Sequence, residues 1–206
     1  MKNFLFLLLL SVPLLASAQN TDSIAIEEIK NFQIDQNLHY KDKAHSPLTK
    51  KDRRKFKGHD FFKIDLNYRV VANVVLTPES DTFGMKTSTD RKPLYRKYGI
   101  AHFTINGVKC QLSIYQNIKF SKIKGYENSL FLLFNDQTNG SESYGGGRYI
   151  DLEIVESDSM IIDFNQSYNP YCHYNSKYSC PIPPSENNLQ LEIRAGTKAY
   201  QNAKAH

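Results

Sequence analysis

From Phe61 onward apolar and polar positions alternate with a period of two. Tyr68, Val70, Ala72, Val74 and Leu76 interleave with Arg69, Val71, Asn73 and Val75, which predicts a strand covered fully on one face and partly on the other. Residues 102–105 and 108–115 are joined by Asn106-Gly107, the pair that best tolerates the two positive φ angles of a type I′ turn, and they predict a hairpin. Its alternation puts Val108, Cys110, Leu112 and Ile114 on one face, so Cys110 is expected in the core, and Lys109, Gln111, Ser113 and Tyr115 on the other. Further strands are predicted over 130–134, 148–155, 160–164 and 189–195, with Asn, Gly and Ser in several connections. Before Phe61 the period is helical: Asp22 or Ser23 can cap a helix, Glu27 and Glu28 suit its positive end, and Ile26, Ile29 and Phe32 share a face. Thr49, three residues ahead of Asp52, marks a second short helix.

Short strands at this spacing, without a repeat and without a βαβ rhythm, predict an all-β fold, mainly antiparallel, a barrel or sandwich with one or two short N-terminal helices. Thirteen tyrosines and twelve phenylalanines are available to thicken a small core. The expected division is a signal peptide at 1–18, a helical segment at 19–57 packed on the domain, and a β domain at 58–206. The leader shows Lys2, an apolar run over 4–15 and Ala16-Ser17-Ala18 as a small-x-small cleavage site, which predicts export to the periplasm or beyond. That run is shorter than the ~20 residues a spanning helix needs, so no transmembrane anchor is expected after cleavage.

The net charge of +5 is concentrated before residue 58, in Lys50, Lys51, Arg53, Arg54, Lys55 and Lys57. A solvated helix face accounts for such a run better than a nucleic-acid patch, and export argues against nucleic acid as a partner.

Candidate chemistry gathers in the segments YGGGRYIDL (144–152), DFNQSYNPYC (163–172) and SCPIPPSEN (179–187), dense in residues that set unusual backbone and present fixed polar groups. Gly145-Gly146-Gly147-Arg148 suits a tight turn entering a strand, or an anion cradle without the marks of a P-loop. Asp163 and Asn165, two apart at a strand end, are expected on one face, where they either grip a ligand with Arg148 or tie down the Asn-Pro loop. Cys172 and Cys180 lie eight positions apart in a turn-rich stretch, and export favours a disulfide over free thiols. A metal site fits poorly, because structural zinc pairs leave two to four residues between cysteines, and His39, His45, His59, His102, His173 and His206 lack ligand spacing. No cofactor is expected. An enzyme has weaker support: there is no nucleophile elbow, and Asp151, Asp163 and Glu186 are the carboxylates available for hydrolysis.

The order SPL (46–48), YGGGRYIDL, DFN, YNPYC, CPIPP, EN and a closing IRAGTK (193–198) resembles the bacterial domain-of-unknown-function family 1684. The resemblance spans nearly all of the chain after the leader and implies one domain whose signature falls late, at Gly147, Arg148, Tyr149, Asp163, Asn165, Asn169, Pro170, Cys172, Cys180, Pro181, Pro184, Glu186 and Asn187. It implies no activity. The tryptophan expected in the helical region of many relatives is absent, and Phe32 or Tyr40 is expected in its place.

Three functions are in contention. The first is binding of a small polar or anionic ligand, a saccharide or carboxylate, in a pocket lined by Arg148, Tyr149, Asp163, Asn165, Tyr168, Asn169 and Tyr171. The second is hydrolysis of envelope or nutrient glycans or esters by Asp163 or Glu186. The third is a structural role for the late motif.

Overall fold

A computed structural model describes residues 12–200. Helix α1 (Val12–Lys41) and the short α2 (Lys50–Lys55) precede seven strands: β1 (Arg69–Leu76), β2 (Thr82–Gly84), β3 (Leu94–Ile105), β4 (Val108–Asn117), β5 (Ser129–Phe134), β6 (Arg148–Glu153) and β7 (Ser159–Asp163). The expected leader at 1–18 lies outside the described residues except for the backbone of 12–18, which is helical. Every strand pairing is antiparallel, in the order β6-β5-β4-β3-β1-β7 with β2 on β3. The sheet curls into a half-barrel whose end strands, β6 and β7, approach each other without a ladder between them.

The hairpin forms as its turn dictates, with Asn106 at φ 50° and Gly107 at φ 80°. Leu112 and Ile114 enter the core, whereas Cys110, nearer the hairpin tip, is only half-buried. The inward residues of six strands make the main core: Val70, Ala72 and Val74 from β1 meet Phe103, Ile105, Leu112, Ile114, Leu132 and Ile162. A second apolar layer coats the outer face of β3 to β6, where Met85, Tyr95, Tyr115, Leu133 and Tyr149 pack beneath the segment carrying Cys172 and Cys180. That layer buries Tyr115, and the Asn187 side chain bonds both backbone groups of the buried Ser113, two residues that two-fold alternation assigned to the polar face.

Residues 189–195 do not form the expected strand. Leu189, Ile193 and Ala195 are buried at alternate positions, but the backbone makes only scattered bonds, Leu189 N–H to the Asn135 carbonyl at 2.8 Å and Gln137 N–H to the Leu191 carbonyl at 3.1 Å. Alternation records which side is covered, and here the cover is the end of the barrel rather than a neighbouring strand.

Arg148 closes that end. Odd and even positions of β6 face opposite ways, and Arg148 shares the inward parity of Ile150, so its guanidinium points into the barrel and is fully buried. One Nη donates to the Asp136 carboxylate at 2.8 Å and to the Ile193 carbonyl at 2.7 Å; the other donates to the Ala195 carbonyl. The rings of Phe62 and Phe134 lie 5.7 and 5.3 Å from its centre. Asp136 also accepts from Thr138 N–H and Oγ1, at 2.8 and 2.6 Å, and from Ile193 N–H at 3.2 Å, so the buried carboxylate is fully engaged. Gly147, at φ +88°, lets the chain reach this position: a Cβ there would sit 2.6 Å from Pro183 Cγ and 2.8 Å from the Phe134 carbonyl oxygen.

The N-terminal helix docks through the buried Ala25, Ile29 and Tyr40, with Ile26, Phe32 and Gln36 half-buried beside them, so the expected face of Ile26, Ile29 and Phe32 is the covered one. It runs for 30 residues, longer than expected and straight past Asp22 and Ser23. Thr49 caps α2 as its spacing to Asp52 predicts, accepting from Asp52 N–H at 3.2 Å. Tyr40, 1% exposed, packs against Phe56, His59 and Tyr174. His59 Nδ1 lies 3.2 Å from the Tyr174 hydroxyl, and its Nε2 is buried without a partner. Burial, with a smaller effect of His173, lowers the His59 pKa to about 4.

Two consequences can be measured. Replacing Arg148 by Met leaves the Asp136 carboxylate buried and unpaired, and should cost about 3–5 kcal/mol in urea unfolding; a loss under 1 kcal/mol would show that the pair does not hold the barrel end. For His59, the folded pKa lies below the ordinary 6.5, so an unfolded chain binds a proton that the fold refuses. Stability from this group is therefore complete above pH ~6.5 and lost as pH falls toward ~4, by on the order of 2–3 kcal/mol. His59→Phe should flatten that part of the melting-temperature profile relative to the parent.

Candidate functional site

The seam between β6 and β7 opens outward into a groove of about 760 Å³. Parity decides its floor. Asp151 stands on β6 opposite Phe131 of β5, and Asp163 ends β7 opposite Arg69 of β1; both carboxylates occupy outward positions flanking the unpaired seam. After Asp163 the chain turns through a 3-10 segment (Phe164–Gln166) and comes back against the start of β6, where Tyr149 and Tyr168 exchange two backbone hydrogen bonds of 2.9 Å. That return sets the Tyr168 ring over the seam, and its hydroxyl donates to Asp151 Oδ2 at 2.8 Å. Tyr95, Phe120, Tyr126 and Phe131 supply aromatic walls.

The two carboxylates differ in their partners. Asp163 Oδ1 accepts from the Asn165 backbone N–H and side-chain amide, both at 2.9 Å, while Oδ2 is buried with no hydrogen-bond partner. Arg69 Nε stands 3.8 Å from that oxygen, and Arg69 Nη2 donates instead to Glu28 of α1 at 2.9 Å. Burial raises the Asp163 pKa against the opposing effects of Asn165 and Arg69. Burial also raises Asp151, with the Tyr168 hydrogen bond working the other way. Asp151 is exposed by surface area yet surrounded by the groove's walls, and the protein atoms around it are what desolvate its carboxylate. Four carboxylates (Glu28, Asp151, Glu153, Asp163) against two guanidiniums (Arg69, Arg91) make the lining acidic.

Of the seven residues expected to line a ligand pocket, the groove receives Asp163 and Tyr168. Arg148 is turned into the core by its parity and does not meet Asp163. Asn165 meets Asp163 as expected, its amide on Asp163 Oδ1, but it also exchanges hydrogen bonds with the Asp65 backbone at 3.0 and 2.9 Å, which ties down the loop and keeps it out of the groove lining. Tyr149 faces outward but is covered, its hydroxyl donating to the Pro181 carbonyl. Asn169 donates to the Lys198 carbonyl at 2.8 Å and to the Tyr174 hydroxyl at 3.2 Å. Tyr171 meets His39 of α1 through a 2.8 Å contact between hydroxyl and Nε2. Glu186 also lies elsewhere: it accepts from the Tyr115 hydroxyl at 2.8 Å and pairs with Lys97 at 3.4 Å. Burial acts to raise its pKa but is outweighed by Tyr115, its own N–H and Lys97, so Glu186 titrates low.

The expected disulfide is absent: Cys172 and Cys180 are free thiols in contact, with Cys172 N–H donating to Cys180 Sγ at 3.1 Å. Among the described residues no group of three His, Cys, Asp or Glu is arranged to hold a metal, and no helix is long and apolar enough to cross a membrane. Asp151 was legible as one of three available carboxylates. Arg69 and Glu28 carried no sequence signal, since they reach the groove only through the packing of β1 and α1.

A family model described as "Protein of unknown function (DUF1684)" matches residues 54–198. Among solved structures, an uncharacterized protein of Haloarcula marismortui determined by solution NMR is similar, with 28% identity, a TM-score of 0.68, and coverage of 89% of this chain and 98% of the other. No curated protein matches.

The Tyr168–Asp151 contact makes a direct test of the groove's electrostatics. Because the tyrosine hydroxyl holds the Asp151 pKa down, Tyr168→Phe should raise it further, read from the carboxyl carbon shift in an NMR pH titration. An unchanged or lowered pKa would mean that the hydrogen bond is not made in solution.

Proposed function

The chain belongs to the DUF1684 family of proteins of unknown function, and from the groove it carries we propose that it binds a small neutral saccharide. The observation that carries this is Asp163 Oδ2, buried at the groove with no donor. A buried acceptor left unmatched is costly, and a ligand hydroxyl placed there would satisfy it. Asp151 offers a second acceptor, and the faces of Tyr95, Phe131 and Tyr168 suit the apolar faces of a sugar ring. A carboxylate ligand, the other expectation, meets four carboxylates and two guanidiniums, one of them already engaged by Glu28. Export through the leader at 1–18 belongs to the same proposal, since free glycans are met in the periplasm and outside the cell.

Hydrolysis is favoured by one further observation, two carboxylates of raised pKa in a single groove. In that case Asp151 and Asp163 form the pair, and Glu186, exposed and titrating low, takes no part. The lining of the groove carries the binding function whether or not turnover follows.

Calorimetry and thermal shift against neutral mono- and disaccharides, sugar acids and simple carboxylates test the proposal. Neutral sugars should raise the melting temperature saturably, by mass action on the native state. Asp151→Asn should weaken that binding about 10-fold, corresponding to the ~1.4 kcal/mol of one lost charge-assisted hydrogen bond. A response to carboxylates alone, or sugar binding indifferent to Asp151→Asn and Phe131→Ala, would overturn it.

A further inference from the structure

Away from the groove, the second apolar layer holds a pair of thiols that no function described above uses. Cys172 opens out of a 3-10 turn (Tyr171–His173), and Cys180 is pinned to the strand region across from it, its carbonyl accepting from Ser88 N–H at 2.9 Å and its N–H donating to Ser88 Oγ at 3.1 Å. Between them the chain doubles back through Tyr178 N–H to the Asn175 carbonyl at 3.1 Å, with Ser176 and Lys177 exposed at the tip. The two thiols therefore sit together at the neck of a short loop held at both ends, with Cys180 Sγ 3.1 Å from Cys172 N. Each residue retains 8–9% exposure, so neither is sealed inside the barrel.

We propose that Cys172 and Cys180 form a dithiol exchange site, with Cys172 attacking a small-molecule disulfide and Cys180 resolving the product. In the first step the Cys172 thiolate attacks one sulfur of RSSR; a Cys172–SR mixed disulfide forms and RS⁻ leaves. In the second, the Cys180 thiolate attacks Cys172 Sγ; the internal disulfide forms and a second RS⁻ departs. The protein dithiol loses two electrons and two protons, and the small disulfide is reduced to two thiols.

The surroundings assign the roles. Hydrogen bonds from Cys180, then from Ser88 and Tyr144, outweigh burial at Cys172 and hold its thiol near 7. The same sharing pushes Cys180 up, with Arg91 a lesser opposing influence, so the first proton leaves the pair easily and the second with difficulty. Tyr144, Tyr149 and Tyr171 also face the sulfurs, all raised and therefore neutral near pH 7, and Tyr144 packs against His173 with ring centroids 4.1 Å apart and the planes tilted by 33°. Cys110 differs on each count: it stands apart near the hairpin tip, and burial raises its thiol.

The test uses the full chain carrying Cys110→Ser, exposed to oxidised glutathione, quenched with acid and weighed intact. The two-cysteine chain should lose two hydrogens, retain no glutathione and recover on reduction, with a rate that rises through a midpoint near pH 7. Adding Cys180→Ser should trap one glutathione on Cys172, while Cys172→Ser should react at least ~10-fold more slowly. Retained glutathione without an internal bond, no reaction, a midpoint near the ordinary thiol value, or equal trapping by the two variants would each overturn the proposal. The first three readouts come from the two-cysteine chain and do not depend on either added variant folding.

Discussion

A guanidinium buried in an apolar barrel is the constraint on which the rest of the structure depends. Arg148 is inside because the strand that carries it alternates, and burial makes each donor of its guanidinium costly to leave unmatched. Asp136 and the carbonyls of Ile193 and Ala195 do this for its two terminal nitrogens, while Nε keeps no partner. The turn after β5 and the start of β6 are thereby drawn to one point with the irregular stretch near the C-terminus, 45 to 47 positions on from Arg148. Buried pairs of this kind typically gain little over an apolar replacement, whereas losing one partner alone strands a buried charge. It therefore acts as a device of registration, consistent with the close fit of Gly147 beside Pro183 and the Phe134 carbonyl.

That closure also makes the groove. Six strands in a continuous ladder curl far enough for β6 and β7 to face each other, but not to pair. The outward residues at the gap are then neither covered by a neighbouring strand nor exposed on an open face. Asp151 and Asp163 sit in that intermediate environment, which is why burial acts on both while one remains open to water. Arg69 bridges toward Glu28, so helix α1 helps set the groove's charge as well as covering the sheet. The late motif divides along the same lines: Arg148, Asn165, Asn169 and Tyr171 hold segments together, whereas Tyr168 and Asp163 face the groove.

Much of the architecture was legible because it rests on local rules. The Asn106-Gly107 turn, the alternation in β1 and the Thr49 cap each depend on residues a few positions apart, and each formed as its chemistry requires. The misses share a cause. Arg148 was expected beside Asp163 and Asn165 but is drawn inward to Asp136, residues 189–195 alternate against a barrel end and not a strand, and Ser113 and Tyr115 are buried by a loop from the far end of the chain.

The amino-acid order by itself determined an antiparallel β domain behind a helical segment, the family, and the stretch where unusual backbone gathers, because propensity, period and turn chemistry act over a few residues. The tertiary structure alone decided that Arg148 points inward and Asp151 outward, that Cys172 and Cys180 meet as thiols, and that Glu28 and Arg69 reach the seam. Those outcomes depend on which faces become covered and where the curl of the sheet stops. Both are set by packing between distant segments, which no local pattern records.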